Sequence, residues 1–239
     1  MSIAKSTRAA RGTIQCENTS LNLLKANDFV AEQIRKQMVG ANTLLVNITS
    51  SAGSGKTTLL AETVRRLKDE FNIFTMVGDL ETERDADRLR EAGGNARQIV
   101  TGGICHLEAQ MVHQVVETED IAAYDLIFVE NVGNLVCPAS FDLGEDYRVT
   151  LMATTEGDDK PKKYPRMFVT SDLMLVSKAD LLPYLPFSVD KVVQDARDLN
   201  PEIEVMQVAT TPRGEGIDAW CGWLRTKVKA KQVQAAATV

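Results

Sequence analysis

The sequence predicts an α/β fold, a mainly parallel sheet with helices on both faces, and three observations carry that expectation. Seven short apolar runs recur along the 239 residues, largely unbroken rather than alternating, as strands buried on both faces require. Segments with apolar residues three and four apart lie between most of them, so strand and helix alternate. The first run then meets the next helical segment across "SSAGSGKTT", a glycine-rich connection in the strand, loop, helix setting that phosphate binding demands. The fold class is therefore that of a P-loop NTPase.

Taken in order, residues 1–16 carry Lys5, Arg8 and Arg11 with no acid among small residues, and a flexible arm is expected over 1–19. "LNLLKANDFVAEQIRKQM", from Leu21, has the period of an amphipathic helix that packs on the sheet or on a partner. Strands are expected at 43–48, 72–77, 96–100, 125–130, 149–154, 172–177 and 202–208. Helices are expected over 56–69, 84–92, 107–116, 188–199 and 217–229. "EGDDKPKKYPRMF" (156–168) has two prolines and no apolar period, so it is expected as a surface excursion between strands. One domain over 20–230 is followed by a frayed tail over 231–239.

A formal net charge of -6 implies no general polyanion-binding surface, so nucleic acid is not an expected partner. No apolar run approaches the ~18 residues of a membrane span, and the start lacks a signal core, so a cytoplasmic protein is expected. Cysteines at 16, 105, 137 and 221 show no CxxC spacing, which makes reduced thiols, free for packing or metal, the default.

In the phosphate loop, Gly53, Ser54 and Gly55 let backbone N–H groups close around a β-phosphate, and Thr58 continues that cradle. Lys56 supplies a point charge to the β- and γ-phosphates, and the Thr57 hydroxyl is the expected Mg²⁺ ligand. Ser50 departs from the pattern, which asks for glycine there. "FVENVGN" ends the fourth strand with Glu130, placed to hold a Mg²⁺ water, and Gly133, whose N–H can meet the γ-phosphate. Asp79 occupies the matching end of the second strand, where two readings stay open: a switch residue near the γ-phosphate, or a cap with Thr82 for the next helix.

"SKAD" after the sixth strand is the NKxD guanine motif with its first residue changed. Asp180 accepts two hydrogen bonds from guanine N1 and N2, a pair adenine does not offer, and Lys178 lies along the base plane. Ser177 in place of Asn shortens the side chain that ties this loop to its neighbours. "TTPRGEG" (210–216) then resembles the loop that covers guanine O6 in such proteins, with Thr210 at its Ser position. GTP is the expected nucleotide, and the 20–230 unit a GTPase domain. A P-loop ATP-dependent small-molecule kinase is the alternative, but it has no use for "SKAD".

"TGGICHLEAQ" sets Cys105 beside His106. Neighbours on a regular helix point about 100° apart, so the pair is either a buried thiol plus a helix-starting histidine, or two ligands bent together by the "TGG" turn. Cys137, just past the strand of Glu130, would share the same sheet edge. Thiolate and imidazole suit Ni²⁺ or Zn²⁺ far better than Mg²⁺, and three ligands leave a fourth to water, backbone or a second subunit. His113 is expected as a surface or core residue, and Cys221, between two tryptophans, as packing.

With "SSAGSGKTTLL", "TGGICHLEAQM", "IFVENVGNLVCPASFDLGE", "EGDDKPKKYPRMF" and "SDLMLVSKADLLPYLPF", the chain resembles the hydrogenase nickel-incorporation GTPases, the HypB family, across about residues 20–230. The resemblance implies a SIMIBI-type P-loop GTPase with slow, regulatory hydrolysis and a homodimer formed on GTP binding. It also implies nickel or zinc held near the subunit interface by Cys105, His106 and Cys137. Ni²⁺ would pass to the large-subunit precursor of a [NiFe]-hydrogenase with a HypA-type metallochaperone as partner. A urease-type nickel GTPase is the nearest alternative. Many members carry an N-terminal cysteine motif or histidine-rich tract; only Cys16 stands here, so nickel storage is not expected.

Overall fold

The computed structural model describes residues 8–79, 84–210 and 214–236, and the side chains from Leu21 to Gln234 within those ranges. Helix α1 (Arg8–Ala41) leads into strand β1 (Leu44–Ser50), α2 (Lys56–Leu67), β2 (Ile73–Asp79), α3 (Arg84–Glu91) and β3 (Asn95–Val100). Next come α4 (Ala109–Val116), β4 (Leu126–Glu130), β5 (Tyr147–Ala153), α5 (Lys160–Lys163), α6 (Pro165–Val169) and β6 (Leu173–Ser177). The chain closes with α7 (Val189–Leu199), β7 (Glu204–Val208) and α8 (Ile217–Ala236).

The seven strands form one sheet in the order β3-β2-β4-β1-β5-β6-β7, and every neighbouring pair is parallel. Period-two geometry sends alternate residues to opposite faces. In β4, Leu126 and Phe128 join the cluster built with α2 and α8, whereas Ile127 and Val129 join the one built with α1 and α4. A third cluster sets Met174 and Val176 of β6 against α6 and α7. Each fully buried Leu, Ile or Phe contributes about 1.5–3 kcal/mol, so the helices are held chiefly by these faces rather than by their own propensity. Trp220 is fully buried and its indole N–H donates to Thr63 Oγ1 at 2.9 Å, which satisfies the polar edge.

Helix α1 answers the question its period raised: Ala31, Ile34 and Met38 are buried against the sheet. Asn27 pins it further, with Nδ2 donating to Asp142 O and Oδ1 accepting from Ala109 N, both at 2.8 Å. The arm expected over 1–19 lies outside the described residues at 1–7, and from Arg8 only helical backbone is described. At the other end α8 runs on to Ala236, and 237–239 lie outside the described residues.

The 156–168 segment is not the surface excursion its sequence predicts. It is folded into α5 and α6, and Pro161, Met167 and Phe168 are buried. Two helices of 4 and 5 residues are too short to show an apolar period, so their core residues were hidden behind the charged ones.

Candidate nucleotide and metal site

All the expected functional segments leave carboxyl ends of strands, where open α/β sheets bind their ligands. The phosphate loop joins β1 to α2, with Gly53 at φ 74 and Gly55 at φ 98, backbone that a side chain would strain. The Lys56 ammonium is buried and lies 3.0 Å from Ser50 Oγ, so the serine that departs from the pattern holds the lysine in place. Burial lowers the Lys56 pKa, while Glu130 first, then Asp85, Glu156 and Asp79, pull it back up.

Thr57 Oγ1 donates to Glu130 Oε1 at 2.7 Å. Burial pushes the Glu130 carboxyl up to about 7, against the opposing pull of Lys56 and the Thr57 bond. Its second oxygen, Oε2, is buried with no hydrogen-bond partner. An orphaned carboxylate oxygen beside a threonine hydroxyl fits the oxygen-donor chemistry of Mg²⁺. Gly133 sits against the loop so closely that a Cβ there would come within 2.7 Å of Ala52 Cα. Asp79 ends β2 in register with Val100, two residues past the Val77 that pairs with Glu130. Thr82, its possible capping companion, lies outside the described residues.

Ser177 ends β6 at the start of the "SKAD" loop. Its hydroxyl is buried and donates to Ser54 O at 2.8 Å, so the tie to the phosphate loop is made despite the shorter side chain. Lys178 follows in the left-handed region at φ 56, held by Thr154 Oγ1 on its carbonyl at 2.8 Å, and Asp180 sits in the next 3-10 turn. Of the "TTPRGEG" stretch, Thr210 is described and 211–213 lie outside the described residues.

Cys105 and His106 are on the loop between β3 and α4, not on the helix, and Gly102 and Gly103 at φ 62 and 98 make the turn before them. Cys137 starts the 3-10 turn after β4. The ligand atoms of Cys105, His106 and Cys137 all lie within 4.8 Å of one another, with the sulfurs 3.0 Å apart and His106 Nδ1 3.8 Å from Cys105 Sγ. Burial lowers the His106 pKa, which favours the neutral imidazole that ligates metal. The neighbouring Cys105 thiol, with burial adding to it, raises Cys137. His113 is apart from this cluster, 3.6 Å from Glu117, and Cys221 is buried in the core, its thiol pushed up to about 11. Of Cys16 only the helical backbone is described.

The family model for the CobW/HypB/UreG nucleotide-binding domain matches residues 44–207. The hydrogenase maturation factor HypB of Escherichia coli K12 is 48% identical over 207 residues, covering 87% of this chain and 71% of that protein. The chain belongs to the HypB family. Crystal structures agree: HypB from Archaeoglobus fulgidus superposes with a TM-score of 0.80 at 37% identity, over 85% of this chain and 99% of that one. HypB from Helicobacter pylori in complex with nickel gives 0.80 and 37%, over 87% and 97%. Membership in HypB makes this a SIMIBI-type P-loop GTPase and sets the small-molecule kinase aside.

Two residues of this HypB site escaped the sequence reading. Glu156, just past β5, places Oε1 2.6 Å from Ser54 Oγ and leaves Oε2 buried without a hydrogen bond, 3.6 Å from Lys160 Nζ. Asn131 is buried next to Glu130; its Oδ1 accepts from Leu107 N at 3.2 Å and from Val132 N at 3.0 Å. The signal was present in both motifs, but only the β1–β5 pairing brings Glu156 to the loop, and only the β4 exit brings Asn131 to the segment of His106. No helix among the described residues is long and apolar enough to cross a membrane.

Proposed function

We propose that this chain is a GTP-hydrolysing switch that gates nickel delivery to the large-subunit precursor of a maturing [NiFe]-hydrogenase. One stretch, Glu130 to Cys137, carries the reading because it touches both sites. Glu130 meets Thr57, Gly133 rests on Ala52, and Asn134 bridges to Ser50 while its Nδ2 lies 3.4 Å from Cys105 O. Cys137 then supplies a metal ligand.

In the mechanism, the loop amides from Gly53 to Thr58 and the Lys56 ammonium hold the phosphates and stabilise charge on the departing β-phosphate oxygens. Thr57 and Glu130 would hold Mg²⁺, which would supply neutralisation of the phosphate charge. Asp79 acts at the same edge. Asp180 and Lys178 select guanine. The Gly133 amide senses the γ-phosphate, and its release after hydrolysis moves Asn134 and Cys137, loosening the metal geometry. Hydrolysis is slow and acts as a timer. Cys105, His106 and Cys137 carry Ni²⁺, with Zn²⁺ the competing ion for the same donors. A water or the second copy in a GTP-bound homodimer completes the shell, and a HypA-type metallochaperone is the partner. The work belongs to the cytoplasm, where thiols stay reduced.

The test is a Ni²⁺ titration of the reduced protein, following thiolate-to-nickel absorbance with GDP or a slowly hydrolysed GTP analogue bound. A band abolished by Cys105→Ala and by Cys137→Ala, and altered by nucleotide, is expected. A band indifferent to both substitutions would overturn the metal assignment.

A further inference from the structure

The three metal donors do not explain everything around His106. Its two ring nitrogens diverge, and they face different chemistry. Nδ1 lies 3.8 Å from Cys105 Sγ, on the side of the thiols. Nε2 is buried with no hydrogen-bond partner, and its nearest charged neighbour is Glu108 Oε1 at 3.6 Å. A buried ring nitrogen without a partner is costly, because water no longer satisfies it. Glu108 is free to take it up: it stands at the N-cap of α4 with φ -106 and ψ 154, yet its side chain makes no capping hydrogen bond. The ring also packs against Phe141, at 4.0 Å between centroids and tilted by 34°.

Resting on the metal reading above, we infer that Glu108 is the positioning carboxylate of the metal site, fixing His106 as the Nε2–H tautomer so that Nδ1 presents its lone pair beside the two cysteines. The arrangement is the carboxylate–histidine–metal triad, in which the outer carboxylate sets the tautomer, aims the ring and raises the basicity of the ligating nitrogen. No proton is transferred. Nε2–H donates to Glu108 Oε1, closing the present gap by a small side-chain rotation, and Nδ1 stays unprotonated for the cation. Glu108 itself ligates nothing. Its role is to make an exposed cysteine and a half-buried histidine into a site that is aimed before the ion arrives.

The test uses the full-length reduced protein loaded with GDP. Ni²⁺ affinity is measured by competition with a chelator for the wild type, Glu108→Ala and Glu108→Gln, and Zn²⁺ serves as a diamagnetic probe for proton–nitrogen correlation spectra of the imidazole. The expected result is a loss of Ni²⁺ affinity of about 10–100-fold in Glu108→Ala and a smaller loss in Glu108→Gln, which keeps an acceptor without the charge. GDP affinity in the same samples reports that the variants are folded. The Zn²⁺-loaded wild type should show the Nε2–H tautomer. A folded Glu108→Ala within about 3-fold of wild type, or a spectrum with the proton on Nδ1, overturns the inference. A wild type that binds no Ni²⁺ at all would sink the nickel reading and this inference with it, whereas equal binding by wild type and Glu108→Ala sinks this inference alone.

Discussion

Replacing Glu130 with Gln separates the cost of burying this carboxyl from its use. The residue is 4% exposed, and burial pushes its carboxyl up to about 7 against an ordinary 4.5. A carboxyl raised in the folded state costs nothing below the unfolded pKa, where both states are protonated. As pH rises past the unfolded value the unfolded state ionises first, and stability falls until the pH has passed the folded value. The gap converts to about 3 kcal/mol at full ionisation. Gln keeps an acceptor for Thr57 and carries no charge, so its advantage over Glu must grow with pH. Urea unfolding of the nucleotide-free protein in EDTA at pH 5 and pH 8 is the assay. The difference Glu130→Gln minus wild type should be about 2–3 kcal/mol more favourable to the variant at pH 8 than at pH 5. The same difference at both pH values would show that Glu130 ionises as an exposed acid does, and the burial argument would fail. With nucleotide and Mg²⁺ restored the order should invert: the variant loses the carboxylate beside Thr57, and GTP turnover should drop by at least about 10-fold.

Two other substitutions probe the neighbouring contacts. Gly133→Ala places a methyl within 2.7 Å of Ala52 Cα, a backbone atom that cannot swing aside, so GTP affinity should fall by about 10-fold and stability by about 1–3 kcal/mol; unchanged fluorescence-detected nucleotide binding would deny the close approach. Asp180→Asn should weaken GTP by at least about 10-fold and favour the xanthine nucleotide, whose C2 carbonyl oxygen accepts from an amide N–H where guanine carries a donor, and competition with labelled GDP decides it; GTP binding as tight as wild type would remove Asp180 from the base contact.

Element by element, strands β1, β2, β4, β5 and β6 were legible because central parallel strands are buried on both faces and read as unbroken apolar runs, whereas the half-exposed edge strands β3 and β7 were legible from their place in the strand and helix alternation. Helices α5 and α6 were not, because short helical turns carry no period and Met167 and Phe168 stand among lysines and prolines. The phosphate loop was legible because its chemistry is local: glycines, lysine and threonine act within a few residues. Glu156 and Asn131 stand inside legible motifs, but the partners they touch, Ser54 and Leu107, are brought to them across the sheet and not by their sequence neighbours.

The sequence by itself determined the fold class and the phosphate loop, and it named the candidate guanine motif and the candidate ligands Cys105, His106 and Cys137, since residue type and spacing along the chain express those directly. Only the tertiary structure decided that Ser177 still reaches Ser54, that Glu108 faces the open nitrogen of His106, and that one strand exit carries both Glu130 and Cys137 between the two sites. Those are contacts between segments far apart in the chain, and their geometry follows from the order β2-β4-β1-β5, which no local pattern encodes.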